Sequence, residues 1–210
     1  MRSVLFLLTF TVSLFADGWK FAKSTDGVTA YTRVVSTSNF KEYKVETEVN
    51  ATLTQVVAVL MSVADMPQWV DRCAEAKMLK EMSATESITR TITSSPFPLK
   101  NREAISHGRL YQDQKTKVVT LVATGRPDYL PANSQFERVK ETRGRWVLTP
   151  KPGGKVHIQM IGHTDPGGII PAPIANQFVV MIPLNSVKNL RTQMRKEKYV
   201  KAKLNYIKEL

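Results

Sequence analysis

The chain has 210 residues, enough for one domain or a tight pair, with 30 Lys and Arg against 18 Asp and Glu and a formal net charge of +12. Apolar residues make up 42% and charged residues 23%, which excludes a disordered tail protein. A single cysteine, Cys73, excludes an intramolecular disulfide framework, a cysteine zinc finger and an iron–sulfur cluster. The basic balance points to an acidic partner, with nucleic acid and an anionic membrane both open at this level.

The first residues read as an address. Arg2 is a minimal basic start, and Val4 to Phe15 is an uncharged, mostly apolar run of 12 residues. As a helix it would reach about 18 Å, short of a hydrocarbon core of about 30 Å. Residues 1–16 are therefore expected to be a cleaved signal peptide ending at the small Ala16, although Leu14 fits the cleavage rule poorly. This predicts a periplasmic or secreted protein. Residues 17–210 show no repeat or linker and are expected to form one domain.

Asp26-Gly27 opens a predicted strand from Val28 to Val35. Lys41 to Val49 alternates: Tyr43, Val45, Thr47 and Val49 share one face, while Lys44, Glu46 and Glu48 share the other. That pattern predicts a half-solvated antiparallel strand. Thr52 is a helix cap before Leu53 to Met61, whose apolar stripe is Leu53, Val56, Val57 and Leu60. Met66 to Val70 reads as a second short helix with Pro67 in its first turn.

Strand signals follow near Lys77 to Glu81, Glu86 to Thr93, Arg102 to Tyr111, Lys117 to Ala123, Phe136 to Thr149 and Lys155 to His163. The fifth is expected to break near Thr142 to Gly144. After Asp165-Pro166-Gly167-Gly168 comes a helical stretch of roughly 40 residues that Pro183 should kink or divide. The order predicts an α+β fold: an antiparallel sheet must cover one face, and only the C-terminal helix is large enough to cover it. A curved sheet gripping one helix leaves a cavity suited to apolar ligands.

Three segments carry a family resemblance. Pro96-Phe97-Pro98-Leu99-Lys100-Asn101-Arg102-Glu103 resembles the Pro-Phe-Pro-x-x-Asn-Arg-Asp signature of the START (steroidogenic acute regulatory protein-related lipid transfer) family, with Glu103 in place of Asp. Asp165 to Pro171 resembles the turn that launches that family's last helix. Gly144-x-Trp146-x-Leu148-x-Pro150 is a weaker match, and Trp69 and Cys73 stand where the family often has these residues. The resemblance implies a helix-grip fold, a curved antiparallel sheet around a long C-terminal helix with an internal cavity, and a tunnel for one lipid. It makes Ser94 to Lys100 a gating loop that moves against Ile170 to Phe178.

Arg102 and Glu103 are adjacent on a strand and so point to opposite faces. Under the resemblance Arg102 is either a lipid head-group contact or a structural rim cation; Glu103 is a solvated or loop-anchoring carboxylate. Trp19, Trp69 and Trp146 are core side chains or tunnel lining, and Met160 shares an inward strand face with Ile158 and Val156. With Phe97 and Leu99 on the loop and Ile174 and Phe178 on the helix, these residues make up the candidate ligand site.

No catalytic group stands out. His107, His157 and His163 lack zinc-site spacing, Cys73 lacks a catalytic setting, and no phosphate-cradling or hydrolase motif occurs. No cofactor, metal or enzymatic activity is expected; the alternative is a helix-grip enzyme, cyclase-like or hydrolase-like, acting on an apolar substrate. Lys188 to Leu210 carries eight Lys and Arg against two Glu. Without stacking aromatics this basic end does not suit nucleic acid. Lys188 to Lys208 could instead meet an anionic membrane or be an ordinary solvated face.

Overall fold

The computed structural model describes residues 18–170 and 172–210. The expected signal peptide lies outside the described residues. The strands are β1 (Lys20–Thr25), β2 (Val28–Arg33), β3 (Glu42–Asn50), β4 (Cys73–Ser83), β5 (Glu86–Thr93), β6 (Arg102–Gln112), β7 (Val119–Gly125), β8 (Glu137–Arg138), β9 (Glu141–Lys151) and β10 (Lys155–Asp165). The helices are α1 (Leu53–Met61), α2 (Ala172–Gln193) and α3 (Glu197–Val200), with a 3₁₀ helix at Val63–Gln68. One sheet runs β1-β2-β3-β10-β9-β7-β6-β5-β4, and β8 joins β6 in parallel as its one departure from antiparallel pairing.

The sheet is the helix-grip sheet expected. β1 is absent from the sequence reading because it is an edge strand, exposed almost throughout and without alternation. The expected break near Thr142 to Gly144 falls instead at Val139 and Lys140, so Gly144 lies inside β9. Pro183 lies within α2 without dividing it. The helical stretch ends at Gln193, well short of 40 residues, because the chain must turn for Tyr199 to reach Asp65.

Two buried clusters hold the layers together. Leu184 and Val187 of α2 pack on Val28, Ala30 and Val45. Leu190 and Met194 join α1, Val119, Leu148, Val156, Ile158, Tyr199 and Ile207 in a larger one. Burying each such aliphatic side chain is worth about 1.5–3 kcal/mol.

The basic end is bound into this core. Asp65 is buried and accepts hydrogen bonds from Ser62 Oγ (2.6 Å), Gln68 Nε2 (2.8 Å), Lys198 Nζ (2.5 Å) and the Tyr199 hydroxyl. Glu209 accepts from Leu53 N and Thr54 N, both at 2.9 Å, and Thr52 Oγ1 accepts from Gln55 N at 3.1 Å. Together they satisfy the free N–H groups that open α1 and place a carboxylate where the helix dipole favours one. Lys188 pairs with Asp26 (2.7 Å), Arg191 with Asp26 O, Lys196 with Gln68 Oε1 (2.7 Å) and Lys201 with Glu197.

The bond from Lys198, with those from Ser62 and Tyr199, holds Asp65 well below the usual carboxylate range. A lowered folded-state pKa adds stability above about pH 4, the unfolded value, and loses it as pH falls below that. Asp65→Asn is expected to cost roughly 2–3 kcal/mol at pH 7. Urea unfolding at pH 7 and pH 3 checks this: the gap between wild type and variant should narrow at pH 3.

Candidate functional site

Regular register lets the concave face be followed row by row from β6 across β7, β9 and β10 to β3. One row, Val119, Leu148, Ile158 and Thr47, is fully buried under the core. The next, Leu110, Leu121, Trp146, Met160 and Val45, is only half-buried at Leu121, Trp146 and Met160. The third is Gly108, Ala123, Gly144, Gly162 and Tyr43: four neighbouring strands present nothing larger than a methyl. The face therefore changes along the strands from large buried side chains to small ones.

Glycines measure the opening. A Cβ built at Gly144 would meet only Ile161 O, and one at Gly108 only Ser87 O, each at 3.9 Å. Among the described residues no side chain of α2 comes within 4 Å of either position. At Gly162 the space is taken: a Cβ there would lie 2.4 Å from the Tyr43 hydroxyl oxygen, so Tyr43 lies across the row. Burial, with a smaller push from the charge of Glu42, raises the Tyr43 hydroxyl pKa far above its ordinary value, and Tyr43 is a neutral wall.

Arg102 lies further along β6 on the same concave side and is 7% exposed. Its Nη1 donates to Ser95 Oγ at 3.1 Å and to Lys100 O at 2.5 Å. Its Nε is buried, with no hydrogen-bond partner among the described residues. Burial lowers its pKa from the ordinary guanidinium value, against the charge of Glu137.

Glu103 points the other way and is 3% exposed. It anchors a loop and is not solvated. It accepts from Arg90 Nε (2.5 Å) and from Arg138 Nε (3.0 Å) and Nη2 (2.8 Å). Arg138 in turn donates to the carbonyls of Pro127, Leu130 (3.0 Å) and Pro131 (2.9 Å). Burial alone would raise the Glu103 pKa; the two guanidinium groups more than offset it and leave it lowered.

The mouth is built at the start of β6. Asn101 accepts from Ser95 N through Oδ1 (3.0 Å) and from Glu137 N through its carbonyl (2.9 Å). The Gly167-Gly168 turn lies against β8, where a Cβ at Gly167 would stand 2.6 Å from Arg138 O. Both residues have positive φ, which suits glycine. The end of the Ser94–Asn101 loop and the turn before α2 thus flank β8. Phe97 on one lip is 97% exposed and Ile169 on the other 95%.

The candidate residues separate into groups. Trp146 and Met160 line the half-open concave row. Trp69 is buried in the core, its ring edge-on to Trp146 at 6.1 Å, with Nε1 unpaired. Phe178 is half-buried, with the Arg72 guanidinium 5.0 Å from its ring centre; Ile174 is exposed on α2 and Leu99 half-buried in the loop. Trp19 belongs to neither core nor concave face: it stacks under the Arg33 guanidinium at 4.5 Å on the convex side, beside Lys44. The sequence reading overlooked the small-residue row. Isolated glycines inside strand patterns were its signal.

Among the described residues there is no cluster of three or more His, Cys, Asp or Glu able to hold a metal. His107 pairs with Glu86 at 2.7 Å, and His163 is buried with neither ring nitrogen bonded among the described residues. Burial raises the Cys73 thiol pKa, which disfavours the nucleophilic thiolate. No helix among the described residues is long and apolar enough to cross a membrane.

Comparison with known proteins fits this geometry, and the START domain model matches residues 11–199. The chain belongs to the START domain family. START domains bind lipids or other hydrophobic ligands. The uncharacterized protein PA1579 of Pseudomonas aeruginosa is 32% identical over 205 residues, spanning 93% of this chain and all of that one. A solved fragment of the STAR-related lipid transfer protein of Xanthomonas axonopodis is also 32% identical, with a TM-score of 0.80 over 86% of this chain and all of that fragment. Human STARD10, at 16% identity and TM-score 0.75, covers 86% of this chain and 74% of its own and shares the fold.

The two glycine environments predict opposite outcomes. Gly162→Ala must displace Tyr43 and is expected to cost about 1–3 kcal/mol. Gly144→Ala meets open space and should leave stability unchanged or slightly raised. Thermal melting of both variants tests this, at about 2–4 °C per kcal/mol for a chain of this size.

Proposed function

We propose that this START domain holds one lipid molecule between the concave face and α2, and that it binds its ligand without chemical conversion. The observation that supports the reading is the row of small residues beside half-buried Trp146, Met160 and Leu121, where among the described residues a Cβ at Gly108 or Gly144 would meet one backbone oxygen at 3.9 Å. Apolar surface buried there contributes about 25 cal/mol per Å². Arg102, on the same side of β6, is a cation placed to fix a charged head, and its planar fork suits a phosphate.

Entry in this reading is through the mouth, with Ser94 to Lys100 moving against the start of α2. Phe97 and Ile169, apolar and almost fully exposed on the two lips, lead the approach to a membrane. In this reading the basic tail stands apart from the mouth. Gln112 Nε2 bonds Lys208 O at 2.7 Å, which places the tail at the far end of β6 from the mouth, about 30 Å away. Five of its eight cations are bonded within the chain. With a cleaved signal, the protein would do this outside the cytoplasm and could carry lipid between membranes.

Protein purified from its native compartment should carry one lipid, and stripped protein should take one up from vesicles. Native mass spectrometry reads both. Arg102→Gln is expected to weaken uptake of an anionic phospholipid by about 10-fold, the equivalent of one charge-assisted hydrogen bond, while leaving a neutral diacylglycerol unaffected. Absence of lipid in both preparations would refute the reading.

A further inference from the structure

The convex face of the sheet, turned away from α2, carries a row of its own. Val45 packs against α2, so Lys44 beside it on β3 points outward. Register carries the row from Lys44 on β3 through Ile161, Arg145 and Val122 to Arg109 on β6. Toward the other edge it continues through Tyr31 to Phe21 on β1. From β3 to β6 a cation stands on every second strand, about 10 Å from the next, with an aliphatic residue between.

A solvated sheet face normally sets opposite charges across from one another. Neighbouring positions do so: Arg33 meets Glu42 at 2.5 Å and Lys155 meets Glu48 at 3.0 Å. In the row the acids are already taken. Glu46 holds Lys44 at 3.2 Å and Gln159 at 2.6 Å, and Glu86, opposite Arg109, holds His107 at 2.7 Å. Arg145 and Arg109 are exposed and, among the described residues, make no side-chain hydrogen bond or ion pair. Trp19, Tyr111, Lys44, Arg145, Ile161 and Val122 line an open cleft of about 590 Å³ over this row. Its acidic lining residue, Glu42, is 9% exposed and is held by Arg33.

The residue types fit a protein partner. Arginine and aromatic residues are over-represented where proteins meet, and here Tyr111 is 54% and Phe21 66% exposed beside two unpaired arginines. Ile161 and Val122 are half-buried between exposed cations. A flat lipid surface would meet the cations and leave those two uncovered, whereas protein side chains reach between them. A helix with carboxylates seven residues apart presents them at about 10.5 Å intervals, with apolar positions on the same face in between. We infer that the convex face docks an acidic amphipathic segment of a partner protein, its carboxylates on Lys44, Arg145 and Arg109 and its apolar side chains on Ile161 and Val122. The sheet separates this surface from the proposed lipid site, and neither reading depends on the other.

The probe is a fluorescent helical peptide with glutamate at every seventh position and leucine between, read by anisotropy. A scrambled peptide of the same composition, vesicles of phosphatidylcholine with phosphatidylglycerol, and oligothymidylate are the comparators. The protein should bind the patterned peptide in preference to the scrambled one, and added salt should weaken binding. Arg109→Glu/Arg145→Glu should weaken it about 10-fold, with melting temperature and lipid uptake unchanged. The neutral Arg109→Gln/Arg145→Gln should show an intermediate loss. Equal affinity for the scrambled peptide, or for the charge-reversed variant, overturns the docking site. If the peptide does not bind, and the charge-reversed variant instead loses binding to vesicles or oligothymidylate, the face belongs to membrane or nucleic acid and the protein partner is overturned. Peptide binding by a protein that takes up no lipid would support this surface and refute the lipid reading alone.

Discussion

A sheet of ten strands curled around one helix encloses more surface than that helix can cover. α2 seats Leu184 and Val187 on Val28, Ala30 and Val45, and Leu190 and Met194 reach the cluster built with α1 and the tail. Beyond those contacts the sheet has to be covered by something else. Elsewhere in such a fold large side chains would fill the gap. Here Gly108, Ala123, Gly144 and Gly162 withhold them across four strands, and only Tyr43 leans into the row. In the proposed reading a bound ligand covers this row and supplies the dispersion contacts that larger side chains would have made.

The remaining polar architecture makes the opening affordable by stiffening its two ends. At the mouth, Glu103 binds Arg90 and Arg138, and Arg138 gathers three carbonyls of the loop that follows β7. That fixes β8, against which both lips rest. At the far end, Asp65 and Glu209 fasten the tail to the 3₁₀ helix and α1. Pairing leaves the net charge as it is, but Lys188, Lys198 and Lys201 of the tail are held by carboxylates of the chain. A run of lysines that reads as a membrane-facing surface is in good part a set of partners for Asp26, Asp65, Glu197 and Gln68.

Much of this was legible in residues alone. Thr52 capped α1 as expected, the alternation of Tyr43 to Val49 put those residues on the concave face, and the two motifs around Arg102 and Gly167 identified the family. The misses share one cause, dependence on distant partners. β1 is a strand because β2 pairs with it, although its own side chains show no alternation. Glu209 caps a helix 155 residues away. Glu103 is buried because Arg138, 35 residues on, meets it. The site was half visible: Trp146, Met160 and Arg102 were found as bulky or charged residues. The row of small ones was missed because space has no side chain to name.

The most direct test is a crystal structure of the protein purified without removal of bound lipid. The account predicts continuous elongated density beneath α2, passing over Gly144, Ala123 and Gly108 and ending at Arg102. Density for water alone, or side chains of α2 collapsed onto the glycine row, would contradict it.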